Sequence, residues 1–264
     1  MVNLLVATAL AGAVAQLPAE QADPAMFVVS DADTTVYIFG TFHVLDGKAD
    51  WFRNEVQNAF NQSNELILET IVPDGPVVAV APPPPSRQIR PLSVTPSASI
   101  LATTRLAINA GRAEGMNVNN GADMVLRRAA EMSGKRVEGL ETLDSLFAMF
   151  TRLPPAPVAA RPKAGTPVED PAESLTKSMV EMQSAWKHGD QQVFVQMLGQ
   201  LKSAAPEAYR MMFTERNGRW ADWIGARMQT PGTVFVAVGA GHLAGSDSLL
   251  VRLAERGFES ARLN

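Results

Sequence analysis

Apolar runs along the chain predict a series of short buried strands. Val36–Phe39, Leu66–Leu68 and Val234–Val238 are apolar at every position. Short runs of this kind are typical of strands covered on both faces, as in a parallel sheet. Less continuous patterns predict further strands at Met26–Ser30, Thr34–Phe39 (extending the first run), Lys135–Leu140 and Phe258–Leu263.

Helical spacing of apolar residues predicts helices between these strands. Within Trp51–Gln62, residues Phe52, Val56 and Phe60 recur at helical spacing, and Asp50 is the expected N-cap. Further helices are predicted at Ser99–Glu114, from an Asp123 cap to Gly134, at Leu143–Thr151, over most of Ala172–Met228, and after a Ser246 cap. The alternation of strands and helices predicts right-handed βαβ crossovers. The expected fold is therefore α/β, with a mixed, largely parallel central sheet and helices on both faces.

The two ends of the chain share a strand followed by a Gly-x-x-His loop and a helix. The loops are Gly40-Thr41-Phe42-His43 and Gly239-Ala240-Gly241-His242, and they hold two of the three histidines in the chain. Each glycine is expected to let the backbone turn sharply after its strand. Because ligands bind at the carboxyl edge of an open α/β sheet, we expect the two imidazoles to meet there.

Two glutamates, Glu69 and Glu141, also stand at the ends of predicted strands. Two imidazoles with one or two carboxylates match the ligand sets of Zn²⁺, Mn²⁺ or Fe²⁺. Such an ion lowers the pKa of a bound water to about 7 and polarises a carbonyl, which makes a hydrolase possible. A second carboxylate would act as general base or hold an imidazole in its ligating tautomer. The alternative is that each polar residue only forms hydrogen bonds within its own loop.

Arg216 and Asn217 are further candidates on a predicted helix, where Asn217 shares a face with Trp220. Arg216 would bind a substrate carboxylate or stabilise a developing oxyanion. The pattern of the helix favours a different interpretation, in which Arg216 is solvated beside Arg219 and Asp222.

Composition narrows the function classes. The net charge of -4 gives no electrostatic reason to expect nucleic acid as a partner. The chain has no cysteine, so disulfides, thiolate ligands and a cysteine nucleophile are excluded. The sequence contains no His-Glu-x-x-His, Gly-x-Ser-x-Gly or Walker motif.

The N-terminal region is expected to be a leader. Leu4–Leu17 is apolar and too short to span a bilayer, and it resembles the apolar region of a signal peptide without a basic start. An alternative is an ordinary first helix. We therefore expect a leader over residues 1–22, a periplasmic or secreted protein, and one domain over residues 23–264 without a membrane span. The proline-rich stretches Pro73–Pro96 and Pro154–Pro171 are interpreted as insertions in that domain.

The motifs resemble those of the TraB/PrgY/GumN family, and the GumN-like bacterial branch is the most similar. The resemblance covers about residues 26–264 and rests on Val36–His43 with Asp50-Trp51, Glu65–Glu69, Gly139–Thr142, Glu215–Asn217 with Trp220, and Val238–Gly245. It implies an α/β fold and a divalent-metal site built from His43, Glu69 and His242, with Glu141, Arg216 and Asn217 nearby. It also implies a relationship to the Tiki metalloproteases and, more distantly, to erythromycin-esterase-like and ChaN-like haem-binding proteins.

The leading hypothesis is an exported metal-dependent hydrolase, a peptidase, that acts on a peptide or small-molecule substrate. Zn, Mn or Co is the expected ion, Glu141 would help to activate water, and Arg216 or Asn217 would orient the substrate. One alternative is a haem- or ligand-binding protein in which a loop histidine ligates haem. Another is a non-catalytic accessory of envelope polysaccharide export. A homodimer is compatible with all three.

Overall fold

A six-stranded sheet forms the centre of the protein in a computed structural model that describes residues 20–72, 109–154 and 170–264. The strands of the structure are β1 (Glu20–Gln21), β2 (Met26–Ser30), β3 (Thr34–Thr41), β4 (Ala49–Asp50), β5 (Glu65–Thr70), β6 (Arg136–Glu141), β7 (Gly232–Gly239) and β8 (Ala261–Arg262). The central sheet has the order β6-β5-β7-β3-β2-β8, and β1 pairs separately with β4. The four strands β6, β5, β7 and β3 are parallel, whereas β2 and β8 pair antiparallel at one side. The predicted α/β fold with a mixed, largely parallel sheet is confirmed.

Helices connect these strands and cover the sheet. Their bounds are α1 (Asn54–Gln62), α2 (Ala122–Met132), α3 (Leu143–Arg152), α4 (Pro171–Lys187), α5 (Gln192–Ala204), α6 (Pro206–Tyr209), α7 (Glu215–Arg227) and α8 (Leu249–Ala254). A π-helical turn at Arg210–Thr214 joins α6 to α7, and a 3₁₀ turn at Ala240–Leu243 follows β7. None of the helices in the described ranges is long and apolar enough to span a membrane.

Both faces of the sheet are buried, as predicted. On one face, Phe39 and Phe235 pack in a cluster that includes Trp51 and Trp186. On the other face, the alternate strand residues join a second cluster that contains apolar residues of α7 and α8, among them Trp220. Because successive side chains of a strand point to opposite faces, strands that are apolar at every position fill both cores. The two apolar clusters thereby fix the position of the strands from both faces of the sheet.

The predicted helix caps Asp50 and Ser246 are both wrong, as is a third, Asp123. Asp50 lies in β4, where it pairs with Gln21 of β1, and α1 begins later, after Arg53. The last helix is capped by Ser248 rather than Ser246. Arg53, the residue before α1, makes no side-chain cap hydrogen bond, whereas the hydroxyl of Ser248 accepts from the N–H of Val251 at 3.3 Å.

Several sequence-based predictions concern residues outside the described ranges. These are the leader segment Leu4–Leu17, the stretch Pro73–Pro96, most of Pro154–Pro171, and most of the predicted helix Ser99–Glu114.

Candidate functional site

The carboxyl edge of the parallel strands brings the predicted site residues together. His43 follows β3 by two residues, His242 lies in the turn after β7, Glu69 is near the end of β5, and Glu141 ends β6. Thr41 of β3 pairs with Gly239 of β7, and β7 lies next to β5. Two histidines that are about 200 residues apart in sequence therefore lie just beyond the ends of neighbouring strands.

Gly239 marks the point where these side chains converge. A Cβ atom built on Gly239 would lie 3.3 Å from Nε2 of His43, 3.4 Å from Oε2 of Glu69 and 3.7 Å from Cδ2 of His242. The φ angle of Gly239 is -52°, and Gly40 lies within β3, so neither motif glycine makes the sharp turn predicted for it. Gly239 instead leaves room for the two imidazoles and the carboxylate.

His242 is buried and held in one tautomer. Its Nδ1–H donates to Oδ1 of Asn217 at 2.7 Å, and Nδ2 of Asn217 donates to the carbonyl oxygen of Asp247 at 2.7 Å. The imidazole lies between the rings of Phe213 and Trp220, at centroid distances of 4.8 and 4.5 Å. Burial lowers the pKa of His242 to about 3, so its ring is neutral at pH 7 with the lone pair on Nε2.

His43 is exposed and pairs with a carboxylate. Its Nδ1 lies 2.7 Å from Oδ2 of Asp123, and the hydroxyl of Thr41 donates to the other Asp123 oxygen at 2.7 Å. The side chain of His43 is 62% exposed, and its Nε2 faces the space beside Gly239. The charge of Asp123 raises the pKa of His43 to about 9. Histidines that ligate metals commonly donate their other N–H to a carboxylate or carbonyl in this way.

Asp123 is the site residue that sequence reasoning missed, since we expected it to cap a helix. The residue before α2 is Gly121, and Asp123 lies in the first turn of α2, where it faces His43. The N–H of Ala122 donates to the carbonyl oxygen of Phe42 at 3.0 Å, and a Cβ at Gly121 would collide with the carbonyl oxygen of His43. This close approach, between segments about 80 residues apart, has no signature in the local sequence.

Arg216 lies at the centre of the cluster and is only 4% exposed, so the solvated position favoured by the sequence pattern is wrong. Its guanidinium donates to both Glu69 and Glu141, including a bond of 3.2 Å from Nε to Oε2 of Glu141. Its Nη1 lies 3.3 Å from Nε2 of His242 and 3.2 Å from the carbonyl oxygen of Met212. All six predicted site residues therefore belong to one connected cluster, with Asn217 behind His242.

The charges of the cluster stabilise one another. Burial alone would raise the pKa of Glu69, but the Arg216 guanidinium, with help from His242 and His43, holds that pKa well below its usual range. Burial would lower the pKa of Arg216, and the two carboxylates outweigh it and raise that pKa. Glu69 is therefore an anion at neutral pH, paired with the guanidinium of Arg216.

Two donor atoms of the cluster lie close enough to share one divalent ion. Because an ion holds each nitrogen or oxygen ligand at about 2.0–2.2 Å, two atoms on one ion are at most about 4.4 Å apart. Nε2 of His242 lies 3.9 Å from Oε2 of Glu69, within that limit, and Nε2 of His43 faces the same space. Within residues 20–72, 109–154 and 170–264, no three His, Asp or Glu side chains already have the spacing of metal ligands. In the structure, the positive charge that neutralises Glu69 comes from Arg216, which contacts both Glu69 and His242.

Fold and site together define a class of protein: an α/β protein with two histidine loops and a buried carboxylate–arginine cluster at the carboxyl edge of its sheet. The chain belongs to the TraB/PrgY/gumN family, whose sequence profile matches residues 25–79 and 86–262. Comparisons with curated proteins and with solved structures find no match.

Proposed function

We propose that this protein is a divalent-metal-dependent hydrolase, with peptides as its substrates. One observation carries the proposal: Nε2 of His43, Oε2 of Glu69 and the ring of His242 surround a single point beside Gly239. Asp123 and Asn217 bind the Nδ1 atoms of the two imidazoles, which leaves Nε2 of His43 facing that point and Nε2 of His242 at 3.3 Å from Nη1 of Arg216. His43, Glu69 and His242 would hold the ion.

The ion, when bound, would supply a water of lowered pKa and polarise the carbonyl of the scissile bond. In the hydrolysis of a peptide bond, the water oxygen bonds to the carbonyl carbon, the C–N bond breaks, and a proton passes to the leaving nitrogen. Glu141 accepts from Arg216 through both of its oxygens. Each carboxylate oxygen has a further lone pair, so Glu141 would accept the proton that the attacking water loses while it stays paired with Arg216, and would pass that proton to the leaving nitrogen.

Arg216 and Asn217 have different roles in this proposal. Arg216 presents a positive charge beside Glu69 and His242, where it would stabilise negative charge that develops on a carbonyl oxygen. Asn217 is 1% exposed and both ends of its amide are bonded. We therefore propose Asn217 as a positioning residue for His242, rather than as a group that contacts the substrate.

Metal analysis of the purified protein tests this proposal, with the three histidines as a matched set. After incubation with Zn²⁺, Mn²⁺ or Co²⁺ and desalting, we expect about one ion per chain in the wild type and in the His188→Ala variant. His188 is a suitable control because its Nδ1 bonds to the carbonyl oxygen of Ser184, outside the site. The His43→Ala/His242→Ala variant should lose the ion and all hydrolysis of a peptide library. Equal metal content in all three proteins would contradict the proposal.

A further inference from the structure

A cavity of about 250 Å³ opens beside the candidate catalytic groups. His43, Glu69 and Asp123 form one end of it. The rest of the wall is largely apolar and includes Leu68, Val72, Val118, Met124 and Leu146. Arg127 and Thr70 also line it, and the Thr70 hydroxyl is buried without a hydrogen-bond partner among the described residues. Pockets for whole small molecules are commonly about 300–1,000 Å³, so this cavity is of a size for one bulky side chain.

The cavity wall offers no free charge away from the catalytic end among the residues that the structure describes. Arg127 is the charged residue of the wall, and it is already engaged: its Nε donates to Glu131 at 2.8 Å and its Nη1 donates to the carbonyl oxygen of Val72. A carboxylate that entered the cavity would lose its hydration and lie near the carboxylates of Glu69 and Asp123, which is costly. An apolar group would bury its surface at no such cost.

Two wall residues remain open to solvent at the mouth. Val72 is 45% exposed and Val118 is 41% exposed, whereas Leu68 at the inner end is 3% exposed. Surface valines next to an apolar wall leave apolar area that a bound side chain would cover. The cavity therefore has an apolar entrance, a largely apolar wall and the candidate catalytic groups at one end.

We propose that this cavity is the subsite for an aliphatic or aromatic side chain adjacent to the bond that is hydrolysed, so that the preferred substrates are peptides with a bulky apolar residue at that position. This inference rests on the proposed function, because only a hydrolase has peptide substrates. Binding of the apolar side chain itself does not require catalysis and can be measured separately. The same apolar chemistry would also suit the acyl chain of an ester or amide, and the experiment separates these two sources.

The binding experiment uses the methyl resonance of Met124, assigned with a Met124→Leu variant in protein labelled at the methionine methyl groups. Metal-free protein is titrated with two hexapeptides that differ only in a central leucine or glutamate, and with octanamide. We expect a saturable shift of the Met124 signal with the leucine peptide, at concentrations at least about tenfold lower than for the glutamate peptide or octanamide. Equal responses to both peptides would overturn the subsite, and a response to octanamide alone would assign it to acyl chains instead.

Hydrolysis by the metal-loaded protein provides the second readout. One missing methylene in an apolar pocket changes kcat/KM by about 10- to 200-fold, so leucine peptides should be cleaved at least tenfold faster than their alanine counterparts. Leu146→Lys should reverse the preference towards glutamate peptides. Phe147→Lys is the matched control, because Phe147 is the next residue of α3, is 51% exposed and does not line the cavity.

The outcomes separate the two proposals. If Leu146→Lys does not fold, Val118→Lys places the charge at the exposed mouth and should produce the same reversal. Cleavage of peptides without an apolar preference, or a preference unchanged in both lysine variants, would overturn the subsite and leave the hydrolase standing. A selective Met124 shift without any hydrolysis would support the subsite and overturn the hydrolase.

Discussion

The two histidines of the site carry different charges because their partners differ. Asp123 raises the pKa of His43 to about 9, whereas burial lowers the pKa of His242 to about 3. In the metal-free protein at pH 7, one imidazole is therefore positive and the other is neutral. The charge of Asp123 sets the pKa of one ring and burial sets that of the other, so a single substitution at Asp123 should alter the asymmetry.

We predict that Asp123→Asn lowers the pKa of His43 from about 9 towards its ordinary value near 6.5, because the charge that raises it is removed. The chain has three histidines, so their ring-proton NMR signals can be followed individually from pH 5 to 10 in metal-free protein. Asp144→Asn, at an exposed position of α3, is the control and should leave the titration unchanged. A His43 pKa that is the same in the wild type and Asp123→Asn would contradict the pairing.

The same substitution predicts a pH dependence of stability. The pKa of His43 is higher in the folded protein than its ordinary value, so the stabilisation by the pair is fully present below about pH 6.5 and is lost as pH rises through about 9. The difference in the free energy of unfolding between the wild type and Asp123→Asn should therefore be larger at pH 6 than at pH 10. Urea denaturation of metal-free protein at the two pH values measures it, and a difference that grows with pH would have the wrong sign.

Close packing between the backbones of helices and loops, and not only side-chain contacts, positions the residues of the candidate site. The N-terminus of α2 lies against the loop after β3, and Gly121 makes room for the carbonyl oxygen of His43. On the opposite side, the π-helical turn before α7 brings Phe213 against His242 and the Met212 carbonyl against Arg216. Turns of this type are frequent at functional sites.

The strands were predictable because Leu66–Leu68 and Val234–Val238 are apolar at every position, and only a strand covered on both faces satisfies that pattern over so short a length. The approach of α2 to His43 was not predictable. Gly121 has no feature in the sequence that distinguishes it from a loop glycine, and its neighbour in space is about 80 residues away.

We predict that Gly121→Ala destabilises the protein by about 1–3 kcal/mol, the usual cost of overpacking, because the new methyl group meets the carbonyl oxygen of His43. Gly199→Ala is the opposite control: Gly199 lies inside α5 with no atom near its added Cβ, so the change should stabilise by about 0.5–1 kcal/mol. Thermal and urea denaturation measure both variants. A neutral Gly121→Ala would show that α2 does not press against this loop.

At the scale of the whole molecule, Arg216 bonds to residues that are far apart in the sequence. Arg216 is 147 residues from Glu69 and 75 residues from Glu141, and it donates to both. The four strand-end residues could be predicted, because parallel strands place their carboxyl ends at one edge. The burial of Arg216 could not, since an arginine is buried only where carboxylates neutralise it, and these come from β5 and β6.

We predict that Arg216→Gln removes the main positive charge beside the largely buried carboxylates of Glu69 and Glu141 and lowers the stability of metal-free protein by about 3–5 kcal/mol. Arg210→Gln removes an arginine whose partners are exposed, and it should cost at most about 1 kcal/mol. A divalent ion would replace the missing positive charge, so Mn²⁺ should recover part of the melting temperature of Arg216→Gln. A variant as stable as Arg210→Gln, with no response to Mn²⁺, would contradict this picture of the cluster.

The most direct test of the central claim is the anomalous scattering of crystals soaked in Mn²⁺ or Zn²⁺. We predict one strong peak bound by Nε2 of His43, Nε2 of His242 and the carboxylate of Glu69, with Arg216 withdrawn from His242. The absence of a peak between these residues at saturating metal, with Arg216 still bonded to Glu69 and His242, would contradict the account.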